Sequence, residues 1–454
     1  MKADGECELN SSGRRGGRNL LSASSERESG RRATTVSGIR YLGDGRGVLE
    51  PQQHDSGPDR MTDIGGEESQ MHPAAEAVAS EHADERPAAR LGQVALVLQG
   101  GGALGAYQVG VLRALEEAGY LPDWFAGTSI GAINAAIMAG NAPEQRLIRL
   151  GKFWNGISRI VPWGAPAQGP LRRAFNAWSA WQTAAFGQPG FFRWRAPAPW
   201  FPSPDISALS YYVADALGQK LKEIIDLDRI NSGSVRLSLG AVKLTSGQQI
   251  YFDSRTQRIG YEHIMASAAL PPAFPPVEID GEWYWDGGIV SNTPLDVVID
   301  QRPRRSTLCF MVDLFDAEGP LPHTIEDVKA RYKDIVYASR SGRRIEAHRA
   351  KHDLRRAVMA LWEALPPERQ KDPHLNALAE LGCTTTMHIV RLVHHTEPEE
   401  LSSKDYDFSE IAIGERIAAG YRDAKAMLEK EPWLDPVPPD IGVVIHELPT
   451  RELR

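Results

Sequence analysis

The amino-acid sequence predicts an α/β fold built on a mainly parallel sheet. Two observations carry that expectation. Val94-Ala95-Leu96-Val97-Leu98 is an unbroken apolar run bounded by polar or glycine residues, as suits a strand buried on both faces. From there to Asp313, apolar runs alternate with stretches of helical period, and tight glycine turns lead from the first two runs into helices.

Residues 1 to about 90 do not read as folded. Arg, Glu, Gly, Ser and His dominate, and the apolar residues show no period. Such a segment buries too little surface to offset its ordering entropy. It reads as a solvated or regulatory tail, or as an over-long start with the true initiator at Met61 or Met71. After the first strand, Ala106 to Ala118 is expected to be a helix, with Tyr107, Val111, Leu115 and Ala118 on one stripe and Gly119 as its stop. Asp123 to Ala126 reads as a second strand, and Ile130 to Met138 as a small-residue helix. Six of the eleven tryptophans fall in 151–205 (Trp154, Trp163, Trp178, Trp181, Trp194 and Trp200) with no clean period. This stretch reads as a cap insertion, either a lid or acyl-chain pocket or an irregular subdomain with its own aromatic core.

From Asp205 the alternation resumes. Ser210 to Ile225 reads as a helix, Val235 to Val242 and Gln249 to Phe252 as paired strands, and Tyr261 to Ala269 as a short helix stopped by Pro271-Pro272. Trp283 to Trp285 and Leu308 to Asp313 read as further strands. A charged helix or helix pair is expected over 324–365, with Val328, Tyr332, Ile335 and Val336 on one face and basic residues from Arg340 to Arg356 behind. Thr385 to Val393 reads as a late strand, Ser409 to Glu429 as a helix with Asp407 or Ser409 as N-cap, and the tail from Pro432 as irregular. The expected domains are a tail at 1–90, a catalytic domain at 91–315 containing the cap at 151–205, and a mainly helical extension at 316–454.

The 454 residues are 42% hydrophobic and 24% charged, ordinary for a globular protein. A net charge of −8 gives no general attraction to nucleic acid. Cys7, Cys309 and Cys383 have no metal-ligand spacing and fit a reducing, cytoplasmic compartment. No run of about 18 apolar residues is present, and the N-terminus lacks the apolar segment of a secretory signal. No metal or cofactor is expected. The basic run from Arg340 to Arg356 reads either as a solvated helix face or as a headgroup contact, so any membrane contact is expected to be peripheral and salt-sensitive.

The chemistry centres on 94–134. Gly127-Thr128-Ser129-Ile130-Gly131 sets a serine between two glycines at a strand-to-helix turn, which presents the hydroxyl without crowding. Gly100-Gly101-Gly102-Ala103-Leu104-Gly105 matches a dinucleotide-binding turn, but the next strand ends in the serine elbow rather than in an acidic residue. The preferred reading is an oxyanion loop whose Gly100, Gly101 and Gly102 N–H groups face a substrate carbonyl. For the general base, His388, His394, His395 and His446 qualify by order along the chain, and Asp286 in Asp286-Gly287-Gly288 qualifies as a turn carboxylate at a strand end.

Four blocks in order resemble the patatin-like phospholipase family: the glycine loop through Gly105, the Gly127-to-Gly131 elbow, Ala266-Ser267-Ala268-Ala269-Leu270-Pro271-Pro272-Ala273-Phe274-Pro275-Pro276, and Asp286-Gly287-Gly288. The resemblance covers about Val94 to Asp313. It implies a three-layer α/β/α fold, Ser129 as nucleophile, Asp286 as base, an oxyanion hole from the first block, and lipid acyl hydrolysis that needs no metal. Family members often carry Arg or Lys where this chain has Leu104. The chain beyond about 320 is similar to the C-terminal extension of larger bacterial members. The leading expectation is therefore a serine hydrolase of lipid or other acyl esters. The alternatives are an acyltransferase or polyester depolymerase with the same residues, a non-catalytic lipid-binding protein, and a dinucleotide oxidoreductase. The oligomeric state stays open.

Overall fold

The computed structural model describes residues 92–166, 168–196, 202–338 and 341–448. The expected N-terminal tail, Trp200 and Arg340 lie outside them.

The apolar run forms strand β1 (Gln93–Leu98), wholly buried. The remaining strands are β2 (Trp124–Gly127), β3 (Arg193–Trp194), β4 (Tyr212–Val213), β5 (Arg236–Lys243), β6 (Gln249–Asp253), β7 (Val277–Ile279), β8 (Glu282–Asp286), β9 (Thr307–Asp313), β10 (Met387–Val393) and β11 (Val443–Glu447). One sheet runs β11-β10-β9-β1-β2-β5-β8-β7, with β6 also on β5. From β11 to β5 every pairing is parallel. β5 pairs antiparallel with β6 and β8, and β7 with β8.

The period of two along β1 divides the core. Val94, Leu96 and Leu98 join one buried cluster, which includes side chains of helices α1 (Ala106–Glu117), α2 (Ile130–Ala139) and α3 (Pro143–Ile157). Ala95 and Val97 join the other, with Val298, Ile299 and Ile345. Helices thus cover both faces, as in a three-layer α/β/α sandwich.

The 151–205 stretch is more regular than its tryptophan pattern suggested. Trp154 belongs to α3 and is buried in the main core. Helix α4 (Pro170–Phe186) follows, then the β3–β4 ribbon. Ser210 to Ile225 is not one helix: β4 precedes helix α5 (Asp215–Ile224). Helix α6 (Tyr261–Ser267) ends ahead of the proline block.

The division at 315 does not divide the sheet. β10 and β11 extend it past β9, and β11 arises from the tail read as irregular. The charged stretch forms helices α7 (Ile325–Tyr337), capped by Thr324, and α8 (Ser341–Glu363). Helix α9 (Glu410–Leu428) is capped by Ser409, whose hydroxyl accepts from Ala412 N. It packs on α1 so closely that a Cβ at Gly110 would lie 1.9 Å from Ile417 O. Val328, Tyr332, Ile335 and Val336, expected on one face of α7, do share a face, but it looks to solvent. Within the basic run, Arg356 donates to Thr385 O and Pro439 O, and Arg349 pairs with Glu346 across one turn. None of the described helices is long and apolar enough to cross a membrane.

Candidate active site

The first two strands of the catalytic stretch lie side by side, with Leu98 opposite Gly127. Each then turns into a helix, so the glycine loop and the serine elbow emerge together at the carboxyl end of the sheet, the usual place for ligands in parallel sheets. Ser129 occupies the turn with φ 58 and ψ −128, ahead of α2. A non-glycine residue there is strained, as is common for residues placed to react. A Cβ at Gly127 would meet Gly131 O at 2.2 Å, and one at Gly131 would meet Leu98 O at 2.3 Å. Gly105 abuts the Ile130 side chain.

The proline block does what its sequence did not announce. Ser129 N donates to Ser267 O (3.0 Å), and Asp286 N donates to Ala269 O (3.0 Å). Two carbonyls, two residues apart, thereby hold the serine elbow and the carboxylate strand in one frame. Asp286 ends β8 beside β5, and its Oδ1 accepts from Gly288 N (2.7 Å). Gly287 packs on Gly240, and Gly288 lies against Asn292.

Asp286 is buried, and burial pushes its carboxyl up to about 7, against the downward pull of the Ser129 hydroxyl and the Gly288 N–H. Its Oδ2 has no hydrogen-bond partner among the described residues. The Ser129 hydroxyl thus lies close enough to act on the carboxylate, whose Oδ2 is the acceptor oxygen without another partner among the described residues.

The glycine loop differs from expectation in one donor. Gly100 N already donates to Asn292 O (3.2 Å). Its role is close approach: a Cβ there would lie 2.8 Å from Ser129 Cβ. No hydrogen bond runs from Gly101 N, Gly102 N or Ile130 N to the described residues. These three N–H groups are the candidate oxyanion donors, with Gly102 held at φ +55. The loop is tied from behind by Asn292 Nδ2, which donates to Gly100 O (3.0 Å) and Tyr337 O (3.1 Å). A buried chain from Trp154 through Asn134 to Gln108 reaches Gln99 O. Leu104, where a cation was noted as missing, is fully buried in the core.

Ser129, Asp286, Gly100, Gly101, Gly102 and Gly288 line one cavity of about 90 Å³. Phe191 and Phe192 enter it from the cap, Tyr212 from β4, and Tyr337, Tyr406 and Phe408 from the C-terminal region. The aromatic wall of this cavity is thus phenylalanine and tyrosine, not the tryptophans. Asp405, Tyr406 and Phe408 gave no sequence signal for the site; their segment packs on the glycine loop so closely that a Cβ on Gly102 would lie 2.4 Å from Asp405 O. Asn292 was legible only as a polar residue six positions after Asp286. None of the candidate histidines lines this cavity. His388 pairs with His446 (3.0 Å), and His394 and His395 line a separate polar cavity. Asp286 is the base candidate that the fold brings to Ser129. No cluster of metal-ligating side chains occurs among the described residues.

Two family models match, one described as patatin-like phospholipase over residues 96–299 and one as patatin phospholipase over residues 335–440. Lysophospholipase NTE1 of Yarrowia lipolytica is 23% identical over 52% of this chain and 14% of its own length. Patatin-like phospholipase domain-containing protein 7 of Mus musculus is 29% identical over 45% of this chain and 12% of its own. These matches therefore span about one-seventh or less of those relatives. A crystal structure of VipD from Legionella pneumophila aligns over 75% of this chain and 67% of its own, at 15% identity and a TM-score of 0.32.

Proposed function

The chain belongs to the patatin-like phospholipase family, and on that premise we propose that it is a serine lipid acyl hydrolase working through a Ser129–Asp286 dyad. The observation that carries this reading is the shared cavity, in which a strained, presented serine, a buried carboxyl raised to about 7 and unpaired backbone N–H groups converge. The ester carbonyl enters with its oxygen toward the Gly101 and Gly102 N–H groups. Ser129 Oγ attacks the carbonyl carbon while Asp286 Oδ2 takes its proton. The backbone donors hold the oxyanion as the carbon becomes tetrahedral. Collapse expels the alcohol, which recovers the proton from Asp286, and leaves the acyl group on Ser129. Water, deprotonated by Asp286, then attacks the acyl-enzyme and releases the acid.

One observation bears on the choice of ester. Among the described residues, the cavity's charged side chains are Asp286 and Asp405, with no Lys, Arg or His. That lining favours esters without an anionic group next to the scissile bond, such as lysolipids or glycerides bound by their acyl side, or a storage polyester. Transfer of the acyl group to an alcohol would use the same atoms and is read out by product analysis with a competing alcohol. The direct test is a fluorophosphonate probe with peptide mapping. Phosphonylation of Ser129 is expected, and a folded chain that stays unlabelled would leave a non-catalytic lipid-binding protein.

Asn292 provides a second test. Asn292→Ala unties Gly100 O and should loosen the glycine loop, lowering kcat roughly ten- to hundredfold with little change in KM. A loss confined to KM would place Asn292 in substrate binding instead.

A further inference from the structure

Two helices of this chain are amphipathic the wrong way round. On α4, several polar side chains face inward beside Phe175 and Ala180: Arg172 pairs with Glu415, Ser179 donates to Asp407 and Asn176 donates to Glu399 O. The other charged residue of α4, Arg173, pairs with Asp327. The outer face is apolar, with Leu171 73% and Trp181 58% exposed, flanked by Trp178 and Phe186. On α7, Asp334 pairs with buried Lys404 and Lys333 with Asp405, while Tyr332 is 69% and Ile335 58% exposed, beside Ile325, Val328 and Val336. A water-facing helix normally shows the reverse arrangement, and contiguous exposed apolar patches of this kind mark interaction sites.

Both helices adjoin the cavity. The arginine of α4 and the aspartate of α7 tie them together through Arg173 and Asp327 (3.2 Å). α7 ends on Tyr337, a cavity wall. The C-terminal turn of α4 accepts from Tyr212, another wall, whose hydroxyl bonds Ala184 O (2.7 Å), and Trp194 packs on Tyr212 at 5.0 Å while its indole N–H bonds Ala185 O.

We infer that the apolar faces of α4 and α7 form the surface by which this protein beds into a lipid–water interface, with the mouth of the Ser129 cavity between or beside them. The occupant is fixed by chemistry. Tryptophan and tyrosine, apolar bodies with a polar tip, are the side chains that settle at such interfaces. Arg172, Lys333 and Asp334 are paired inward, and Lys329, the exposed charge on the α7 stripe (64%), is paired with Glu326 (3.7 Å) on its own helix, so the surface offers little to a charged partner. A cavity of about 90 Å³ encloses only part of a lipid, so the rest of the substrate must remain in its aggregate during reaction. The inference rests on the acyl-hydrolase reading of that cavity.

The test is flotation of the full chain with phosphatidylcholine vesicles, run beside turnover of a soluble nitrophenyl ester. Wild-type protein should float and should keep doing so in about 0.5 M salt, because screening reaches only charge contacts. The doubles Leu171→Glu/Trp181→Glu and Tyr332→Glu/Ile335→Glu should each lower vesicle partition about tenfold or more. Turnover of the soluble ester should be unchanged in both, and turnover of vesicle-borne ester should fall with binding. Unchanged flotation in either double overturns the inference. So does a parallel loss of soluble-ester turnover, or a wild-type dimer that either double splits, which would make these faces a contact between copies. Absence of soluble-ester turnover in wild type, with flotation intact, would count against the hydrolase reading alone.

Discussion

Ser129→Ala is expected to lower kcat/KM for a soluble ester by about 10⁴-fold or more, since loss of a covalent nucleophile leaves only binding and oxyanion stabilisation. The loss should come without unfolding. The Ser129 side chain makes no cap hydrogen bond to α2, so removing its hydroxyl strands no buried donor. A second substitution separates chemistry from fold. Residue 129 sits at φ 58 and ψ −128, a region tolerated chiefly by glycine. Ser129→Gly relieves strain of roughly 1–3 kcal/mol and gives back up to about 1 kcal/mol in unfolded-chain entropy. The glycine variant should therefore be as inactive as the alanine variant yet about 1 kcal/mol more stable than wild type by denaturant unfolding. Full turnover in folded Ser129→Ala would remove Ser129 from the reaction. Equal stability of glycine and wild type would remove the strain argument while leaving the nucleophile untouched.

Local chemistry was legible in the sequence, and long-range placement was not. The stretch from Val94 to Asn134 could be read because strand, glycine turn and helix are short-range patterns, and the elbow is defined by residues within a few positions of Ser129. Asp286 became readable only through its four-block ensemble, because an aspartate before two glycines is otherwise a plain turn. Three things were hidden. The carbonyls of Ser267 and Ala269 position Ser129 and Asp286 through backbone atoms, which leave no trace in residue type. Asp405, Tyr406 and Phe408 reach the cavity from more than a hundred residues downstream, by packing alone. The stripe of Val328, Tyr332 and Ile335 was found at the right period, but period does not say which face is buried. In α7 the ion pairs of Lys333 and Asp334 decided it in favour of the polar face. The same limit applies to the tryptophans of α4, whose abundance suggested a wall of the site and whose exposure shows an outer surface.

Asp286→Asn should abolish turnover and, at neutral pH and above, stabilise the protein. The carboxyl is raised from 3.8 to about 7 by burial. As the base, it must be ionised, so wild-type kcat/KM should rise with pH and level off above about 7. Stability runs the other way. The folded state holds this proton more tightly than the unfolded chain, so the group's contribution is fully present below about 4, the unfolded value. It is lost as pH rises through about 7. A shift of this size corresponds to a few kcal/mol, at about 1.4 kcal/mol per pKa unit. Asparagine is neutral throughout and can keep the bond from Gly288 N through its side-chain oxygen. The stability difference between Asp286→Asn and wild type should therefore be small near pH 4, grow between about pH 4 and 7, and level off at a few kcal/mol by about pH 8. Denaturant unfolding across that range measures it. A difference that stays flat with pH would mean that Asp286 is ionised at ordinary carboxylate pH and is not held in reserve by burial. The activity profile would then have to take its pH dependence from another group. Agreement of the two curves, one rising and one falling through the same pH, would tie the cost of burying this carboxylate to its use as the base.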